Sequence, residues 1–179
     1  MGNKLNVLEY NASLQELALL FHSGNSYLDS FLRSEYALDK NIGKTFVFLS
    51  DENDTIIGYY NIGTGDVEYD DSGIRKKMGG SIHINCFALD EKYHGILQAK
   101  TEDGEIINLS DVLLMDCMEK IQDLRNNYVG FAFVTLNSTE EGYSLYKRND
   151  FEKLEEDMSF SKEDSELKCI PMYYAIDII

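Results

Sequence analysis

Positive charge is scarce in this chain. Lysine and arginine total 16 against 32 aspartates and glutamates, which leaves a formal net charge of −16. No Lys/Arg-rich stripe is visible, so phosphate-rich partners such as tRNA, DNA or an anionic membrane are disfavoured. Cysteine is scarce as well. Cys86, Cys117 and Cys169 sit singly in apolar stretches, with no CxxC pair and no histidine at zinc spacing. That pattern reads as buried thiols in a reducing compartment and excludes a zinc centre. No apolar run has the length needed to cross a bilayer. The opening MGNKLNVLEY has no apolar signal stretch, and Asn6 stands where a myristoylation motif wants Ser or Thr. The expected location is the cytoplasm. There are no repeats, low-complexity tracts or obvious linkers, so residues 1–179 are expected to form a single domain.

What is present is a balanced hydrophobic content of 44 % and a readable order of elements. Ser13-Leu14-Gln15-Glu16 has the form of a capping box, and Leu14, Leu17, Ala18 and Phe21 follow on one helical face. Gly24 and Asn25 break that helix before a second one near Ser26. Lys44–Leu49 and Thr55–Ile62 read as the two strands of a hairpin. The polar stretch from Gly63 to Met78, with Asp66, Glu68, Asp70 and Asp71, reads as a solvated loop, or one that steers a cationic ligand. Gly79–Leu89 reads as a strand with Ile82, Ile84, Cys86 and Ala88 on one side and His83, Asn85, Phe87 and Leu89 on the other.

Asn108 and Asp111 suit the start of a long helix, with Leu113, Cys117, Ile121, Leu124 and Tyr128 as its core stripe. Phe131–Leu136 is a covered strand. A short helix from about Thr139 to Lys147 follows, with strands at Phe151–Phe160 and Ile170–Ile178. The expected fold is α/β, a central twisted mixed β-sheet flanked by helices.

Four local motifs, in order, resemble those of the GNAT N-acetyltransferases. Phe21-His22-Ser23-Gly24-Asn25 with Leu28-Asp29 and Phe31-Leu32 is similar to the opening helices of the branch that includes the acetylating toxins. Ile56-Ile57-Gly58-Tyr59-Tyr60-Asn61-Ile62 is similar to the second hairpin strand. Phe87-Ala88-Leu89-Asp90 with Tyr93-His94-Gly95 resembles the cofactor strand and the start of the acetyl-CoA loop. Tyr143 to Phe151 resembles the aliphatic-Tyr-x-x-x-Gly-Phe signature.

The resemblance implies acetyl-CoA as co-substrate and an amine acceptor on a small molecule or protein. It implies cofactor contacts from Phe87, Ala88, Leu89, Tyr93, His94 and Gly95, with plain loop exposure as the other reading of His94. Asn137 is a candidate for the pantetheine arm or for a turn, and Tyr143 for the same cleft or for the core. Tyr146 falls where the general acid often stands; its other reading is a core tyrosine. His83 and Asn85 are candidates for the acceptor side, with a hydrogen-bonded histidine as the alternative.

The sequence also departs from the family pattern. His94 stands in place of Gln or Arg, the glycines after Gly95 are replaced by Ile96, Leu97, Gln98 and Ala99, and about a dozen residues around Lys100–Glu105 look inserted. Glu102, Asp103 and Glu105 would repel a pyrophosphate nearby, unless the insertion folds away as a hairpin. Asp150 replaces the usual glycine before Phe151, and aspartate tolerates a left-handed backbone. The alternative to catalysis is a binding module on the same fold, acting as a homodimer or with another protein. A tRNA-acetylating toxin, suggested by the Phe21–Leu32 resemblance, runs against the acidic charge.

Overall fold

In the computed structural model, which describes residues 6–101, 104, 106–160 and 168–176, β-branched and aromatic segments pair into one mixed sheet. Its strands are β1 (Val7–Glu9), β2 (Lys44–Leu49), β3 (Ile56–Asp71), β4 (Ile74–Leu89), β7 (Phe133–Ser138), β8 (Glu152–Lys153), β9 (Met158–Phe160) and β10 (Ile170–Ala175). The hydrogen-bonded order is β1-β2-β3-β4-β7-β10-β8, with β9 alongside β3. Two further strands, β5 (Leu97–Lys100) and β6 (Ile106–Asn108), form a separate hairpin. The helices are α1 (Gln15–Ala18), α2 (Ser26–Arg33), α3 (Leu109–Asn127) and α4 (Tyr143–Arg148). The β4–β7 pair is parallel, so its connection must be a crossover; it contains the β5–β6 hairpin and α3. The expected α/β mixed sheet is observed.

Contacts divide the chain into two units. The first comprises residues 1–62 and 86–120. Its core gathers Phe21, Leu32, Val47, Ile56, Tyr59 and Cys86 with smaller residues. Phe21 meets Tyr59 edge-on at 5.5 Å, and the Tyr59 hydroxyl donates to the Leu28 carbonyl at 2.7 Å. Each such side chain stabilises by about 1.5–3 kcal/mol on burial. Gly24 takes a left-handed φ of 84°. The Asn25 side chain then caps α2 by accepting from the Tyr27 and Leu28 N–H groups. The cap at the first turn is Asn11, which accepts from the Ser13 N–H and hydroxyl, rather than the expected Ser13. Asn11 is placed earlier because the chain opens with a 3₁₀ turn, Ala12–Leu14.

The second unit comprises residues 63–85 and 121–179. β10 lies antiparallel to β7, and Val134, Leu136, Met172 and Phe151 are buried there.

Several expectations need correction. The segment 63–78 is not a loop: β3 and β4 extend through it as a long hairpin. Ser72 and Gly73 turn it, both with positive φ (58° and 88°), the form that suits twisted strands. Its acids meet bases across the hairpin, Glu68 with Arg75 at 3.7 Å, Asp66 with Lys77 at 3.9 Å, and Asp71 with Lys76. Tyr128 lies past the end of α3 and is 77 % exposed, so it is no part of the core stripe. Phe151–Phe160 is split into β8 and β9 by a turn. Cys86 and Cys117 are buried thiols, whereas Cys169 is half-buried. Glu102, Asp103, Glu105 and the end of the expected last strand, Ile178, lie outside the described residues. No helix among the described residues is long and apolar enough to cross a membrane.

Candidate active site

The first unit holds Phe87, Ala88, Leu89, Tyr93, His94 and Gly95. The parallel ladder of β4 with β7 runs from Ser81↔Phe133 to Ile84↔Leu136, and β4 itself runs on to Leu89. On its other side β4 neighbours β3 in the sheet. Ala88 and Leu89 are buried. Gly58 stands against them: a β-carbon there would meet Leu89 Cδ2 at 2.6 Å and the Ala88 carbonyl at 2.9 Å.

After Leu89 the chain turns through a 3₁₀ segment, Glu91–Tyr93, capped by the Asp90 side chain. Asp90 is 2 % exposed. Its carboxylate accepts from the N–H groups of His22 (3.0 Å) and Lys92 (3.1 Å), and its own N–H donates to the Ile57 carbonyl. The Glu91 N–H donates to the His22 carbonyl at 2.8 Å. His22 in turn reaches Asp29 with Nδ1 at 2.8 Å, and Asp29 also accepts from the Ser23 N–H and hydroxyl. Asp29 and Asp90 therefore bind the segment before α2 to the end of β4. The sequence shows Asp29 and Asp90 only as members of motifs; their partners lie 7 and 68 residues away from them.

His94 turns back on the strand. Its Nε2 lies 3.0 Å from the Leu89 carbonyl, which fixes that nitrogen as the donor. Gly95 has φ 69°, and the insertion after it does fold as a hairpin, β5–β6.

Pyrophosphate binding at such a loop needs N–H groups that point outward at a helix N-terminus. Here the N–H groups of Tyr93 and His94 donate to the carbonyls of Asp90 and Glu91, and that of Leu109 to Ile96. The N–H of Asn108 donates to the Asp111 carboxylate at 2.9 Å, so an acid already occupies the positive end of α3. The start of α3 therefore does not fit a pyrophosphate in the usual way.

The second unit holds Asn137, Tyr143 and Tyr146. Tyr146 is buried on α4, its ring edge-on to Phe151 at 5.7 Å. Tyr143 is half-buried, with the Lys153 ammonium 5.0 Å from its ring centre. Asn137 is half-buried on β7. Asp150, before Phe151, has φ 65°, the left-handed geometry that a glycine would otherwise supply. His83 is 4 % exposed, with Nδ1 2.8 Å from the Thr135 hydroxyl and its ring 5.3 Å from Phe160. That is a hydrogen-bonded core histidine.

Comparison with solved structures gives the fold. The AtaTR complex bound with acetyl-CoA superimposes with a TM-score of 0.71 at 15 % identity, over 97 % of this chain and 94 % of that one. A structure of AtaT complexed with acetyl-methionyl-tRNAfMet gives 0.66 at 17 % identity, over 88 % and 94 %. The PaiA N-acetyltransferase of Thermoplasma acidophilum in complex with coenzyme A gives 0.56 at 14 % identity, over 97 % and 99 %. The chain has the GNAT fold. No protein-family profile and no curated protein matches its sequence. At these identities the likeness concerns the GNAT fold and not the residues that act on it.

Proposed function

We propose that the chain is an acetyl-CoA-dependent N-acetyltransferase that acts on an amine of a small molecule or protein. The observation that carries this reading is the fold, which proteins solved with acetyl-CoA or CoA share over 97 % of this chain. Acetyl-CoA supplies an activated acetyl thioester. The backbone of Phe87, Ala88 and Leu89 binds the amide arm, and Tyr93, His94 and Gly95 flank its phosphate end. Asn137 and Tyr143 help to orient the arm. The neutral amine nitrogen forms its bond to the acetyl carbon and loses a proton to solvent, from which the Tyr146 phenol is later re-protonated. The Tyr146 phenol gives its proton to the departing sulfur, so that the carbon–sulfur bond breaks to a neutral thiol. The chain's charge of −16 attracts a cationic amine and opposes an RNA acceptor.

Calorimetric titration with acetyl-CoA tests the reading. Heat of binding that is lost when His94 and Gly95 are replaced supports it. Absence of binding at millimolar acetyl-CoA favours a second reading, a binding module on the same fold. The internally satisfied N–H groups before α3 are the observation behind that alternative.

A further inference from the structure

The second unit contains a cavity of about 340 Å³ that none of the roles above uses. That volume is in the range of small-ligand sites. Tyr69, Phe133 and Tyr173 supply aromatic walls. The Phe133 and Tyr173 rings stand 6.2 Å apart at 67°. Tyr69 is the cross-strand partner of Met158, which joins Met78 as an adaptable apolar lining.

Two carboxylates, Glu155 and Asp157, complete the lining, and among the described residues no lysine or arginine is part of it. They sit on a turn held at both ends: the Met158 N–H donates to the Glu155 carbonyl at 3.0 Å, and the Asp70 N–H to the Asp157 carbonyl at 2.7 Å. The Tyr173 hydroxyl lies 3.5 Å from a Glu155 oxygen. Burial, with the nearby Glu152 and Glu155, pushes the Tyr173 phenol above its usual range, so it stays a neutral donor.

An anionic ligand would be repelled by the two carboxylates. A neutral apolar ligand would fill the walls and leave the two exposed carboxylates to water, gaining nothing from their charge. A cation satisfies both, by charge-assisted hydrogen bonds to the acids and by contact with the tyrosine faces. We propose that this cavity binds a small organic cation, a primary ammonium carried on an aromatic or other apolar body.

The proposal stands apart from acetyl transfer and is tested without acetyl-CoA. Phenethylamine, 2-phenylethanol and 3-phenylpropionate share a ring and differ in charge. The expected result is that phenethylamine binds at least about tenfold tighter than the alcohol, with the acid weakest. In methyl-labelled protein it should shift the Met78 and Met158 signals. In the E155Q/D157N double variant the preference for the amine over the alcohol should vanish while alcohol binding persists. Equal affinity for amine and alcohol, no binding of either, or shifts confined to other methionines would each overturn the proposal. The methionine map uses the wild-type protein, so it decides the question even where the double variant fails to fold.

Discussion

Tyr146 has an exposure of 7 %, and its ring packs on Phe151. Tyr146→Phe keeps that ring contact and removes only the hydroxyl. If the phenol serves as general acid, turnover should fall by about 10²–10⁴-fold, with acetyl-CoA affinity and melting temperature nearly unchanged. The rate of free-thiol release with a responsive amine measures the first, calorimetry and thermal melting the others. Wild-type turnover in the variant would remove the acid role. Gly58 makes the opposite kind of case, because there the backbone leaves no room. A β-carbon at Gly58 would stand 2.9 Å from a backbone carbonyl, which cannot swing aside as the Leu89 methyl can. Gly58→Ala should therefore destabilise the fold by about 1–3 kcal/mol, seen as a lower midpoint in urea.

At the scale of elements, the pin between the segment before α2 and the end of β4 should respond to pH. The Asp29 hydrogen bond, with the Glu91 carboxylate, holds the His22 imidazole above its usual pKa. Asp29 would be raised by its burial, but the donors from Ser23 and His22 outweigh this and hold it below the ordinary carboxylate range. The raised histidine stabilises fully below about pH 6.5, and that share fades as pH rises through its folded value. The lowered aspartate stabilises above about pH 4, and its share fades as pH falls through its folded value. The melting-temperature gap between wild type and His22→Ala should be widest between these limits and narrow towards pH 9; a gap that is flat from pH 5 to 9 would show that the charge of His22 plays no part. The start of α3 offers a second test. Asp111→Asn keeps an acceptor for the Asn108 N–H but removes a negative charge from the helix's positive end. Acetyl-CoA affinity should rise by on the order of threefold, read by calorimetry.

The order of these elements was legible because each of its signals is local. Gly24-Asn25, Asn108 with Asp111, and Asp150 in a left-handed conformation all act within a few residues. The long β3–β4 hairpin was not legible, since its exposed acids look like a loop until Arg75, Lys76 and Lys77 stand opposite them. The same holds for the 340 Å³ cavity, whose walls come from Tyr69, Phe133, Met158 and Tyr173, far apart in sequence. His94 was legible as a loop residue but not as the donor to Leu89, which depends on how the loop folds back.

For the molecule as a whole, net charge favours some partners over others. The excess of acid over base is 16 charges, and the bases of the β3–β4 hairpin are spent on its own acids. Binding to RNA draws most of its non-specific affinity from lysines and arginines that displace counterions from phosphates, and each phosphate contact adds to the salt dependence. A chain with no Lys/Arg-rich stripe in its sequence gains little of this and adds repulsion, which is screened only beyond about 8 Å at physiological ionic strength. The expected outcome is that micromolar protein gives no gel shift with tRNA at about 0.15 M salt. A small cationic amine should behave in the reverse way, with kcat/KM falling as salt rises because the attraction that gathers it is screened. A tRNA shift that weakens steeply with salt would mean that a local basic surface overrides the net charge, and the acceptor would then have to be sought among nucleic acids.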